Sequence, residues 1–284
     1  MTAKVFGALT LVLTLGACSD QAPQRKKRRP VDRMVFRDEP DENAFEKIPL
    51  PPQRVRVQRG RHVAVVGGTQ SAANFAMPAP ICLPPKDQPS RSIGPTTDGQ
   101  LIDACKIPSV GPGYMAVSPN AYGTDTTVAL LQLAANQVKQ QFPQTPSVVI
   151  GAISAPTGGF LKPHKSHQSG RDVDIAYLRT IQAQPKRFEL TDSSNLDAER
   201  TWAFLETLLT SGEVGLIFMD YEIQALLYEA LLDNGWTEQG LQPLFQYPAG
   251  PNVPRGVIRH AIGHADHFHV RFRCPEADKP ECVD

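Results

Sequence analysis

No charge of either sign is in excess in this chain. Twenty-nine Lys and Arg balance 29 Asp and Glu over 284 residues, so the formal net charge is zero. A nucleic-acid-binding domain usually carries a basic surplus, and that class of partner is excluded here. The sequence has no evident internal repeat, which argues against a solenoid or propeller. Its five cysteines form no CxxC pair, so a cysteine-ligated metal site has no motif to stand on. The apolar run at residues 5–15 falls well short of the roughly 20 residues that a spanning helix needs. Proline and glycine are abundant instead, at 26 and 21 residues, which predicts many loops. The length allows one substantial core with an appendage.

The first seventeen residues read as a leader rather than as part of the fold. Lys4 supplies a short charged region, and the apolar run that follows ends in Leu15-Gly16-Ala17-Cys18. That tetrapeptide resembles a bacterial lipobox, in which the cysteine becomes the lipidated first residue of the mature chain. An ordinary signal peptide with a chance cysteine is the alternative. Ser19 stands where Gram-negative lipoproteins bound for the outer membrane carry a residue other than aspartate. The expectation is a periplasmic protein held to the outer membrane by a lipid anchor at Cys18. That compartment is oxidising, and the four remaining cysteines allow two disulfides. Of the three possible pairings, Cys82–Cys105 and Cys274–Cys282 close the shortest loops and are preferred.

Residues 18–60 read as a disordered tether. A basic run (QRKKRRPVDR), an acidic run (DEPDEN) and a proline-rich stretch (IPLPPQ) cannot bury enough apolar surface to fold. Residues 61–110 read as an irregular N-terminal arm, and residues 111–284 as the main domain. There, Val128, Leu131, Ala135, Val138 and Phe142 keep helical spacing, with Thr124 or Asp125 as cap and Pro143 and Pro146 as stops. SVVIGAIS, DVDIAYL, VGLIFMD and HFHVRFRC read as strands. Helices follow Asp197, with Trp202, Leu205 and Leu209 on one face, and run through YEIQALLYEALLDNG to Gly235.

Five of the seven histidines fall in two short segments, HKSHQSGRDVDI at 164–175 and HADHFHVRF at 264–272. Along a strand, side chains alternate between faces. His267 and His269 therefore share one face and Phe268 and Val270 the other. Asp172 and Asp174 likewise oppose Val173 and Ile175. If these strands pair, two imidazoles and two carboxylates meet on a common floor. Imidazole nitrogen and carboxylate oxygen together suit zinc, with three protein ligands and one open position in a catalytic site. His167, Asp174 and His269 are the candidate metal ligands. Gly170 permits a sharp turn between the first two. The fold expected is α+β: a small antiparallel sheet carrying the site, flanked by helices, with the irregular arm added. His62 and His260 belong to neither segment and are left out of the site.

SHQSGRDVDI and HADHFHVRFRCP resemble the two signature segments of penicillin-insensitive murein endopeptidases. These belong to a wider metallopeptidase group with lysostaphin-type endopeptidases, D-Ala-D-Ala peptidases and the hedgehog domain. The resemblance covers roughly residues 110–284 and matches His167, Asp174, His267 and His269, with His164 and His264 as the additional histidines. It also matches Cys274 and Cys282, which supports that disulfide. It implies zinc held by His167, Asp174 and His269, and cleavage of peptidoglycan cross-links between D-alanine and meso-diaminopimelate. Relatives in the wider group use a glutamate shortly before the last ligand as base. Residues 255–272 contain none, which leaves the task to histidine. His267 is the first candidate for general base, and His264 is the next, as acid, base or oxyanion donor. His164 is a candidate to orient substrate or hold a second metal, Asp172 to orient a ligand imidazole, and Gln168 to bond the ligand loop or substrate. Two other functions stay open at this point: a D,D-carboxypeptidase trimming terminal D-alanine, and a non-catalytic wall-binding lipoprotein.

Overall fold

In the computed structural model, residues 76–180 and 183–284 are described. The leader 1–17, Cys18, the tether 18–60 and the first part of the arm lie outside them, as does His62. The strands are β1 (Arg91–Ile93), β2 (Gln100–Ile102), β3 (Cys105–Lys106), β4 (Val110–Gly111), β5 (Tyr114–Ala116), β6 (Tyr122–Gly123), β7 (Val148–Ile150), β8 (Asp172–Ala176), β9 (Val214–Met219), β10 (Ile258–His260) and β11 (His267–Phe272). The α-helices are α1 (Asp125–Gln141), α2 (Ala198–Thr210), α3 (Tyr221–Asp233) and α4 (Glu238–Leu241).

The architecture is α+β. Its main sheet has seven strands in the order β10-β9-β11-β8-β7-β5-β4. The centre that carries the histidine and aspartate segments is antiparallel: β11 pairs with β9 and β8, and β8 with β7. The sheet as a whole is larger than expected and mixed, because β10 joins β9, and β5 joins β7, in parallel. Those added strands are two or three residues long, too short to leave an alternating pattern that can be read against loop sequence. Two further two-stranded ribbons, β1-β2 and β3-β6, complete the described sheets.

Phe268, Val270 and Phe272 of β11 and Val173 and Ile175 of β8 are each at most 1% exposed and enter one core with α1 and α2. Fully burying side chains of this size stabilises by about 1.5–3 kcal/mol apiece, so the strands' facing is strongly determined. The opposite face carries His267, His269, Arg271, Asp172 and Asp174. Thr124 caps α1 by accepting from the Thr127 amide at 3.1 Å, and Asp197 caps α2 by accepting from the Arg200 amide at 3.0 Å. The chain leaves α3 through Gly235, whose φ of +88° suits glycine. Both disulfides form as the short-loop pairing predicts, Cys82–Cys105 and Cys274–Cys282.

Residues 76–110 hold β1 to β4 and are bonded into the rest of the chain. The Ser92 amide donates to Asp278, and the amide of Gln168, beside His167, donates to the Thr96 carbonyl at 3.1 Å. The fully buried Arg171 donates to Ser92, to the Phe272 and Val283 carbonyls and to Asp284. This one side chain therefore fastens the N-terminal ribbon and the C-terminal residues to the start of β8.

Candidate metal centre

The β8–β11 register sets His269 directly opposite Asp174, and Arg271 opposite Asp172. His167 arrives from the loop before β8. Its backbone is left-handed, φ +69°, an uncommon conformation for a residue with a side chain. Gly170 follows at φ +75°, where an added Cβ would stand 2.8 Å from the Leu101 methyls. The strained residue is held from two sides. Its amide donates to Asp172 Oδ2 at 3.1 Å, and its Nδ1 lies 2.9 Å from the Ile153 carbonyl oxygen. A carbonyl only accepts, so Nδ1 carries the proton and Nε2 presents a lone pair.

That nitrogen meets two other candidate ligand atoms. His167 Nε2 lies 3.2 Å from His269 Nδ1 and 3.2 Å from Asp174 Oδ1, and His269 Nδ1 lies 3.1 Å from the same Oδ1. A small divalent ion in a tetrahedral site, with bonds of about 2.0–2.1 Å, holds its ligand atoms roughly 3.3 Å apart. The three edges match that spacing. All three residues are buried, at 1%, 3% and 5% exposure for His167, Asp174 and His269. The donor set and its dimensions fit a divalent metal.

The surroundings supply what such a centre needs. Asp172 is completely buried, faces His269 Nε2 at 3.2 Å, and accepts from Arg271 Nε at 3.0 Å. Burial alone would raise the Asp172 carboxyl, but Arg271 and His269 outweigh it and hold it well below the ordinary range. Asp174 behaves alike: burial opposes its charge, and His167 and His269 overcome that. For His269 burial favours the neutral ring, but Asp172 and Asp174 prevail and raise it to about 9. In the metal-free chain a proton thus occupies the place that a cation would take. Phe218 of β9 closes this side, its ring edge-on to His269 at 5.6 Å.

The remaining candidates lie around the triangle. The His164 ring sits 4.2 Å from that of His167, and its Nδ1 is 3.5 Å from Asp174 Oδ2. His164, His167 and Asp174 also offer ligand atoms all within 4.8 Å of one another. His267 Nε2 stands 3.7 Å from Asp174 Oδ1, while its Nδ1 pairs with Asp266 at 2.6 Å. The His264 ring lies 4.9 Å from that of His267 and 6.2 Å from that of His269. Burial, then the neighbouring His267 and His269, lower His264 to about 4, so it is uncharged at neutral pH. Gln168 donates to the Thr97 and Lys165 carbonyls, bracing the loop that carries His167. His260, left out of the site, accepts from the Tyr221 amide at the start of α3.

Three contributors escaped the sequence reading. Arg271 continues the alternation of His267 and His269, and that signal was available. Asp266 is embedded in the histidine cluster itself. Phe188, stacked on His267 at 5.0 Å and 16°, comes from a distant loop and leaves no sequence signal.

Two buried imidazoles and a carboxylate, from the middle of the main sheet and the loop before β8, form a candidate metal centre. The family model for penicillin-insensitive murein endopeptidases matches residues 92–214. Curated relatives with that name include one from Salmonella heidelberg, 30% identical over 75% of this chain and 77% of its own. One from Haemophilus influenzae is 29% identical over 70% and 69%, and one from Klebsiella pneumoniae 29% over 69% and 70%. This chain belongs to the penicillin-insensitive murein endopeptidase family.

Proposed function

We propose that this chain is a zinc-dependent D,D-endopeptidase that hydrolyses D-alanyl–meso-diaminopimelate cross-links in peptidoglycan. The observation that carries the reading is the triangle of His167 Nε2, Asp174 Oδ1 and His269 Nδ1, with edges of 3.1–3.2 Å. Two imidazoles with one carboxylate are a donor set zinc takes in hydrolytic sites. When bound there, the ion supplies Lewis acidity, polarising the scissile carbonyl and making water easier to deprotonate.

The chain's own groups do the rest. His267 stands at the edge of the triangle with Nε2 facing it. It accepts the proton of the attacking water at Nε2 and returns it to the leaving amine nitrogen as the C–N bond breaks. His264 is neutral at pH 7 and acts as a hydrogen-bond donor toward substrate rather than as an acid. Asp172 orients the His269 ring, with Arg271 holding that carboxylate ionised. His164 flanks the ligands on the loop side and contacts substrate there. The protein acts in the periplasm, held by a lipid anchor at Cys18. Its two disulfides, which persist in oxidising compartments, support that placement.

Digestion of purified sacculi tests the reading. Cross-linked dimers should disappear, a chelator should stop their loss, and added zinc should restore it. If dimers persist while pentapeptides shorten, the enzyme is a carboxypeptidase instead. If neither changes, the wall-binding alternative stands.

A further inference from the structure

His267 is the least enclosed histidine of the central floor, yet its ring is held on two sides. Asp266 Oδ1 lies 2.6 Å from His267 Nδ1. A carboxylate can only accept, so Nδ1 must carry the proton, and the neutral ring then keeps its lone pair on Nε2. That is the atom 3.7 Å from Asp174 Oδ1. On one face the ring stacks against Phe188, with centroids 5.0 Å apart and planes only 16° from parallel. Phe188 has a built seat: a Cβ added at Gly151 would stand 2.5 Å from its Cζ. The loop carrying Phe188 is also tied to the segment carrying Asp266, because the Thr191 amide donates to the Ala265 carbonyl at 2.9 Å.

We propose that Asp266 and Phe188 are positioning residues for His267: the carboxylate fixes the tautomer, and the aromatic ring fixes the plane in which Nε2 meets the reacting water. The assignment rests on His267 serving as the base in the reading above. Both residues contact the His267 ring directly, Asp266 at Nδ1 and Phe188 on its face, and equal zinc content in the variants separates that route from any effect on the candidate ligands. A carboxylate–imidazole pair of this kind selects a tautomer that an amide does not enforce, because an asparagine can donate as well as accept.

The test uses the full chain, zinc-loaded and ¹⁵N-labelled, as wild type, Asp266→Asn and Phe188→Leu. Long-range ¹H–¹⁵N spectra report which ring nitrogen of His267 is protonated. Wild type should have the proton on Nδ1, and Asp266→Asn should shift it toward Nε2. Zinc content should be equal in all three. On cross-linked muropeptide dimers kcat should fall about a hundredfold in Asp266→Asn, the usual scale of general-base catalysis being ~10²–10⁴, with KM held within about twofold. Phe188→Leu should keep the tautomer and lower kcat about tenfold. An unchanged tautomer in Asp266→Asn overturns the assignment, as does lost zinc or an unchanged kcat in either variant. A His267→Ala chain that cleaves dimers at the wild-type rate would sink the underlying reading instead, while the tautomer result still reports on Asp266.

Discussion

Replacing Asp172 by asparagine keeps the side-chain volume and deletes one buried charge. The carboxylate is fully buried, accepts from Arg271 Nε at 3.0 Å and from the His167 amide at 3.1 Å, and faces His269 Nε2 at 3.2 Å. Arg271 is only 12% exposed, so its guanidinium would lose this carboxylate in a poorly solvated place. Removing one partner of a buried ion pair costs about 3–5 kcal/mol. In a domain of this size that corresponds to a fall in Tm of roughly 10 °C. The same change frees the His269 ring, and loss of such a supporting carboxylate lowers metal affinity about 10–100-fold. Thermal denaturation of the metal-free chain measures the first effect, and competition against a calibrated chelator measures the second. A double-mutant cycle with Arg271→Gln should give a coupling of about 2 kcal/mol. Unchanged Tm and unchanged affinity, or additive single effects, would refute the claim that Arg271, Asp172 and His269 act as one relay.

Other expectations follow from the same geometry. Because His269 is raised to about 9 without metal, its proton must leave on binding; apparent zinc affinity should climb about tenfold per pH unit between pH 7 and 9, and a flat profile by titration calorimetry would contradict this. Asp172 and Asp174 are both depressed in the fold, so the stability they contribute is present above about pH 4 and is lost as pH falls below it; acid denaturation should shift to higher pH in Asp172→Asn. Zinc at a hundred times its Kd should raise stability by about 2.7 kcal/mol, visible as a Tm that drops on adding chelator. Gly170→Ala puts a Cβ 2.8 Å from Leu101 at φ +75°; it should cost more than about 1 kcal/mol by denaturant titration and weaken metal binding through His167.

Much of the centre was legible because strands alternate strictly. Once HFHVRF and DVDI are read as strands, His269 and Asp174 must share faces with His267 and Asp172. The apolar residues between them choose which face is buried. The long helices were legible through spacing and caps, as with Thr124 on α1 and Asp197 on α2. What escaped depends on three-dimensional return. Strands of two or three residues, such as β4, β5 and β10, exist only because a neighbour pairs with them. Phe188 reaches His267 from a loop some eighty positions away in sequence, with no periodicity to announce it. Arg271 could have been found by extending the alternation two residues further. Its partner Asp172 is fixed by cross-strand register, which one strand alone does not contain.

The central claim meets its most direct measurement in anomalous diffraction at the zinc edge from crystals of the zinc-loaded chain. A single strong peak should lie about 2.0–2.2 Å from each of His167 Nε2, Asp174 Oδ1 and His269 Nδ1. A zinc-loaded crystal with no peak inside that triangle would contradict it.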